Sequence, residues 1–182
     1  MARIVADSSA LILLLKCSLI QMFCELFDVV VPEAVYTEVA SEDLIKNYPD
    51  AALIAELTAK GAINVQNLER GDRVTLPRSL HKGEGDALLL AVKLGKLLLA
   101  TDDGKAIKAA RFFKVPFIVT PKIVVELFKL EKISFKKAGD SLKKLGKIGR
   151  YSPEIIADAL ISLMEERNVK TDNHKDTGRF TE

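Results

Sequence analysis

Tryptophan is absent, cysteine and histidine occur twice each, and aromatic residues make up only 6% of the 182 positions. Each scarcity removes a class of function. Without tryptophan and with few other aromatic rings, stacking on bases is not advertised as a mode of recognition. His81 and His174 have no partner at a zinc-ligand spacing, which leaves neither a structural zinc nor a histidine-based triad to argue from. Cys17 and Cys24 stand seven apart among apolar neighbours and read as core residues rather than a disulfide. No apolar run approaches the roughly 20 residues of a membrane-spanning helix. The N-terminal apolar stretch reads as a strand ending at Asp7, not as a basic region followed by a long apolar segment, so no signal peptide is expected. The expected setting is cytoplasmic, with no membrane partner.

A surplus of one charge is missing too. Lys and Arg number 27 against 25 Asp and Glu, a formal net charge of +2, so bulk electrostatics does not mark a nucleic-acid binder. The distribution says more. Basic residues crowd the segment from Lys129 to Arg150, whereas acids punctuate the first hundred positions. The crowding reads either as a solvated helix surface or as a face that attracts phosphate.

What is present alternates. Residues 2–6 read as a buried strand, followed by helical spacing over Ala10–Leu15 and Leu19–Phe27, with Ser8 or Ser9 as the N-cap. Val29–Val31 is a β-branched run, and Pro32 opens a helix to about Ala40 at a first-turn position. Residues 41–48 read as a loop or short helix. Ala51–Lys60 is helical with Gly61 as its C-cap, and Ile63–Val65 is a third strand. Positions 67–82 read as irregular. The helix Ala87–Leu94, introduced by Gly83-Glu84-Gly85-Asp86, leads to a fourth strand over 96–100; a helix over 105–112 leads to a fifth over 117–119. Such alternation with nearly continuous apolar strands is the pattern of a parallel sheet covered on both faces. Helices alone follow: Pro121–Leu130, Ser134 to about Leu145, and Ser152–Arg167. The polar stretch 169–182 is expected to be disordered.

In an open parallel sheet, sites form at the carboxyl ends of strands where the strand order reverses. Asp7 and Asp102 each follow a predicted strand and converge if strands one and four are neighbours. Glu38, in the helix after strand two, and Asp86, at the start of the helix before strand four, have access to the same crevice. Taken singly, each acid has an ordinary reading: helix-cap region, solvated helix residue, first-turn acid, turn former. Together, four carboxylates in one small space repel one another unless hard divalent cations offset the charge, and oxygen-only ligands suit magnesium or manganese.

At these residues the sequence resembles the PIN-domain family. The first strand with Asp7-Ser8-Ser9-Ala10-Leu11-Ile12, then Pro32-Glu33-Ala34-Val35-Tyr36-Thr37-Glu38-Val39, then Gly83-Glu84-Gly85-Asp86-Ala87, then Leu98-Leu99-Ala100-Thr101-Asp102-Asp103 resemble the family's acidic elements in order. Two details depart from the commoner pattern. The third element offers both Glu84 and Asp86, with Asp86 favoured because the apolar helix pattern runs on from it. The fourth offers Asp102 and Asp103, and has Ala100 where the family often has a hydroxyl residue, with Thr101 beside it.

The resemblance, which covers about residues 2–125, implies a three-layer α/β/α fold around a mostly parallel five-stranded sheet, with a nuclease domain over 1–125; the amphipathic helices of 126–168 lie outside it and read as an extension packed on that domain. It also implies a Mg2+- or Mn2+-dependent endoribonuclease, either the toxin of a VapC-type toxin–antitoxin pair, as in many relatives, or an RNA-processing nuclease. Asp7, Asp86 and Asp102 would be ligands, Glu38 would ligate or orient water, and the Ser9 hydroxyl would hold a carboxylate or phosphate oxygen. Glu84, Thr101 and Asp103 would support them. Arg78, Lys82 and Lys105 are the nearest candidates for substrate phosphates, each with an ordinary reading as a surface cation. RNA is the expected substrate, a homodimer the expected assembly and an antitoxin a further partner. The alternative is a catalytically silent PIN-like scaffold. A phosphatase of the haloacid dehalogenase type needs an aspartate where Ser9 stands, and a receiver domain needs one after strand three, where Gln66 and Asn67 follow Val65.

Overall fold

A computed structural model describes residues 1–69 and 80–176. Strands β1 (Ala2–Ala6), β2 (Phe27–Pro32), β3 (Ile63–Gln66), β4 (Leu98–Ala100) and β5 (Phe117–Ile118) form one sheet in the order β3-β2-β1-β4-β5. Every pairing is parallel, with Ile4 opposite both Val29 and Leu98. Ile4, Val5, Val29, Val30 and Leu99 have no exposed surface, the apolar saturation that a parallel sheet covered on both faces requires. Helices α1 (Ser8–Lys16), α2 (Ile20–Leu26), α3 (Glu33–Ala40), α4 (Glu42–Asn47), α5 (Pro49–Ala59), α6 (Lys82–Lys93) and α7 (Gly104–Phe112) complete a three-layer α/β/α fold.

The chain moves outward from β1 through β2 to β3, then returns to the other side of β1 for β4 and β5. Strand order therefore reverses between β1 and β4, and that is where a parallel α/β sheet opens a crevice.

Several local expectations shift, each for a visible reason. The N-cap of α1 is Asp7 rather than Ser8 or Ser9, because its carboxylate accepts the Ala10 N–H while its own backbone is still extended. Pro32 caps α3 from the end of β2, where it still pairs with Gln66, instead of lying in the first turn. Helix α6 starts at Lys82, a turn earlier than the apolar pattern, so Glu84, Gly85 and Asp86 lie inside it. Strand β4 starts at Leu98, since Gly95 and Lys96 both take left-handed backbone angles (φ 84° and 61°) in the turn before it. Gly61, with φ 74°, closes the end of α5 as expected.

The chain divides into two compact units, Met1–Thr120 and a second from Pro121 onward. The sequence reading put its boundary at 125/126, within α8 (Thr120–Lys129). The second unit holds most of α8, then α9 (Phe135–Ile148) and α10 (Pro153–Asp176). Helix α10 continues through Asp176, into the stretch read from composition as disordered, since extending a helix is far cheaper than starting one. Cys17 and Cys24 are both buried and are not joined in a disulfide. Among the described residues no helix is long and apolar enough to cross a membrane.

Candidate active site

The site begins where the sheet ends. Asp7 N–H donates to the Ala100 carbonyl at 3.0 Å and Thr101 N–H to the Ile118 carbonyl at 3.1 Å, so the ladder runs one residue beyond β1 and β4. Asp7 and Thr101 thereby reach the same level on adjacent strands. Ser9, in the first turn of α1, donates its hydroxyl to Asp7 Oδ1 at 2.6 Å and accepts the Asp102 N–H at 2.8 Å. Thr101 does the same one strand over: its hydroxyl donates to Asp7 Oδ2 and accepts the Asp103 N–H at 3.3 Å. Each hydroxyl must therefore point its single proton at Asp7.

The Asp102 carboxylate is held from the next strand. Thr120, just past β5, donates its N–H to Asp102 Oδ1 at 2.9 Å and its hydroxyl to Oδ2. Asp7, Thr101 and Thr120 are fully buried, while Ser9 and Asp102 are half-buried. Thr120 was not singled out from sequence. The available signal was a hydroxyl residue immediately after the fifth strand, on the same carboxyl edge as Asp7 and Asp102.

Burial is the largest influence on Asp7, pushing its carboxyl up from 3.8 to about 6. The hydrogen bonds from Ser9, Thr101 and Ala10 pull the other way, and the negative charge of Asp102 raises it further. The two carboxylates thus sense each other, and at neutral pH Asp7 carries its charge against a desolvation cost.

The other predicted acids are arranged differently. Glu38 is exposed on α3, and its carboxylate lies against Gly83 in the first turn of α6: a Cβ added there would stand 2.5 Å from Glu38 Oε1. Glu84 accepts the His81 N–H at 3.1 Å and so caps α6. Asp103 caps α7, accepting from Lys105 N at 2.7 Å and Ala106 N at 2.9 Å. Asp86 is half-buried, one turn into α6. Asp7 and Asp102 come together with Ser9, Thr101 and Thr120; Glu38 meets the start of α6. Among the described residues, no group of three or more His, Cys, Asp or Glu side chains is gathered as a metal-holding set. Lys82 and Lys105 are exposed, each in the first turn of its helix, and Arg78 lies outside the described residues.

An all-parallel α/β/α domain with two interacting aspartates at its order reversal defines a class of acid-bearing α/β proteins. A family model described as a PIN domain matches residues 3–166, and the chain belongs to the PIN-domain family. The match extends through α8 and α9 and into α10. No individual curated protein matches the chain. PIN domains are generally nucleases and typically use divalent metals.

The donors can be tested against such a metal. Among the described residues, Asp7 Oδ1 accepts two hydrogen bonds and Oδ2 one, which leaves a lone pair of Oδ2 open to a cation. Magnesium is commonly held by one or two carboxylates, with water and substrate phosphate completing its shell, and an interacting aspartate pair meets that requirement.

Proposed function

We propose that the chain is a Mg2+- or Mn2+-dependent endoribonuclease hydrolysing phosphodiester bonds, with Asp7 and Asp102 at its centre and Glu38 and Asp86 as further acids. The observation that carries this reading is the Asp7–Ser9–Asp102 chain of hydrogen bonds at the strand-order reversal. It ties the Asp7 carboxylate to the Asp102 backbone N–H, and with Thr120 holding the Asp102 carboxylate it sets two mutually repelling acids where a parallel sheet binds ligands. Asp7 and Asp102 would hold the cation, which supplies Lewis-acid stabilisation of the charge that builds on the phosphoryl oxygens. Ser9 and Thr101 orient the Asp7 carboxylate, and Thr120 orients that of Asp102. Glu38, exposed and lying on a glycine, would ligate the cation or orient water. Lys82, Arg78 and Lys105 are the proposed phosphate contacts. A toxin role with a cognate antitoxin, a homodimer and a cytoplasmic setting complete the proposal.

A second reading has its own support: Asp7 is fully buried and already serves as a helix cap, as a silent PIN-like scaffold would require. Incubating the protein with labelled single-stranded RNA and manganese, with EDTA and with Asp7→Asn separates the two. The nuclease reading expects cleavage that EDTA abolishes. It also expects Asp7→Asn to reduce cleavage by more than about a hundredfold, beyond the 10–100-fold typical of residues that only orient ligands. Cleavage that survives EDTA removes the mechanism, and no cleavage with any divalent metal favours the scaffold.

A further inference from the structure

The charge imbalance noted in the sequence acquires a location in α9. Residues 121–150 hold nine Lys or Arg against Glu126, Glu131 and Asp140, although the whole chain has a net charge of only +2. Lys136, Lys143 and Lys147 are spaced i, i+7 and i+11, which at 3.6 residues per turn puts them on one line roughly 16 Å long. All three are exposed, and Asp140 lies beside the same line.

We infer that this lysine row is a docking surface for the sugar–phosphate backbone of single-stranded RNA, carried by the second compact unit; the inference rests on the RNA substrate proposed above.

Three observations narrow the partner. The opposite face of α9 is committed: Ala138, Leu142 and Leu145 have no exposed surface, and a Cβ on Gly146 would stand 3.7 Å from Ile156 of α10. A basic helix that binds membranes needs its apolar face for the lipid, and α9 has spent that face on packing. The row contains no aromatic residue, and lysine is depleted in protein–protein interfaces, where aromatic and arginine anchors dominate. Flexible lysines on a line suit a flexible polyanion, whose binding comes from releasing condensed counterions rather than from fitted contacts.

The test is a fluorescence-anisotropy titration of the full chain with a labelled 20-nucleotide oligouridylate, in EDTA, over a series of salt concentrations. The variant K136Q/K143Q/K147Q should bind at least about tenfold more weakly at moderate salt. Its log–log salt dependence should be shallower by about 2, from a slope of about 0.7 per phosphate contact on single strands. The control K60Q/K96Q/K114Q, with the same change in charge on the first unit, should shift affinity less than about twofold, the residue of a non-local charge effect. The inference is overturned if the wild type does not bind, if the α9 variant matches it, or if the control loses as much. It is equally overturned if the variant loses only its binding to phosphatidylserine vesicles. Because EDTA suppresses cleavage, a protein that binds through the row yet cuts nothing upholds the docking surface and removes the nuclease reading. An active protein whose binding ignores the row does the reverse.

Discussion

Two regions of the first unit carry acids, and they hold them in opposite ways. At the ends of β1 and β4, backbone ladder bonds set the level of the chain, two hydroxyls fix the Asp7 carboxylate, and Thr120, two residues past β5, fixes that of Asp102. Where α3 meets α6, Glu38 lies at the surface, its carboxylate located by the missing side chain of Gly83. The first arrangement is preorganised and costs desolvation; the second is adjustable and costs almost nothing. The proposed nuclease would draw on both, one acid held rigidly and the other at the surface.

The contrast breaks most sharply with pH. Asp7 titrates near 6 when folded, against about 3.9 in an unfolded chain, so the folded state binds this proton more tightly. The stabilisation it gives is complete below the unfolded value and is lost as pH rises through about 6. Its size is about 3 kcal/mol from two pKa units. Urea unfolding between pH 4 and pH 8 should show this decline in the wild type and lose it in Asp7→Asn.

Thr101→Val preserves shape while deleting the donor to Asp7 Oδ2. At pH 8, where Asp7 is charged, it should cost about 1–3 kcal/mol, the penalty for a buried acceptor deprived of its partner. At pH 5 the cost should shrink, because a protonated Asp7 no longer needs that donor. Equal costs at both values would mean that Thr101 contributes only packing.

At the other region the expected effects are smaller. Glu84→Ala removes the α6 cap and should lower stability by about 1 kcal/mol while leaving RNA cleavage within about twofold. A collapse of cleavage would mean that Glu84 assists the chemistry rather than only capping the helix. Gly83→Ala should change stability by less than about 1 kcal/mol, since the clash falls on the far end of a flexible side chain and alanine favours a helix. The added methyl must displace the Glu38 carboxylate, so cleavage should drop severalfold with the melting temperature nearly unchanged. If cleavage is unaffected, Glu38 has no part in the chemistry.

The parallel character of the sheet was legible in the sequence because buried parallel strands announce themselves: Val29–Val31 and Leu98–Ala100 are apolar throughout, and helical segments between them force crossovers; apolar runs carry no information on which strands become neighbours, and the order came from the structure. The meeting of Asp7 with Asp102 was expected only on the condition that strands one and four are neighbours, which the β1–β4 pairing meets. Less legible was the division of labour between neighbouring acids. Glu84 and Asp103 differ from Asp86 and Asp102 only in where their helices begin, and apolar periodicity locates a helix start poorly when its first turn is Lys-Gly-Glu-Gly. Thr120 was invisible for a related reason: a hydroxyl after a strand is an ordinary turn residue until the strand beside it places a carboxylate within reach.

Asp7 closes the first turn of α1 with the same carboxylate proposed to serve chemistry. Asparagine closes such a turn just as well. A single base change in the codon would therefore yield a well-folded descendant with its surfaces intact and its proposed reactivity gone. Inheritance of the shape and inheritance of the activity are separable at this one position, and stability alone would not stand guard over the aspartate.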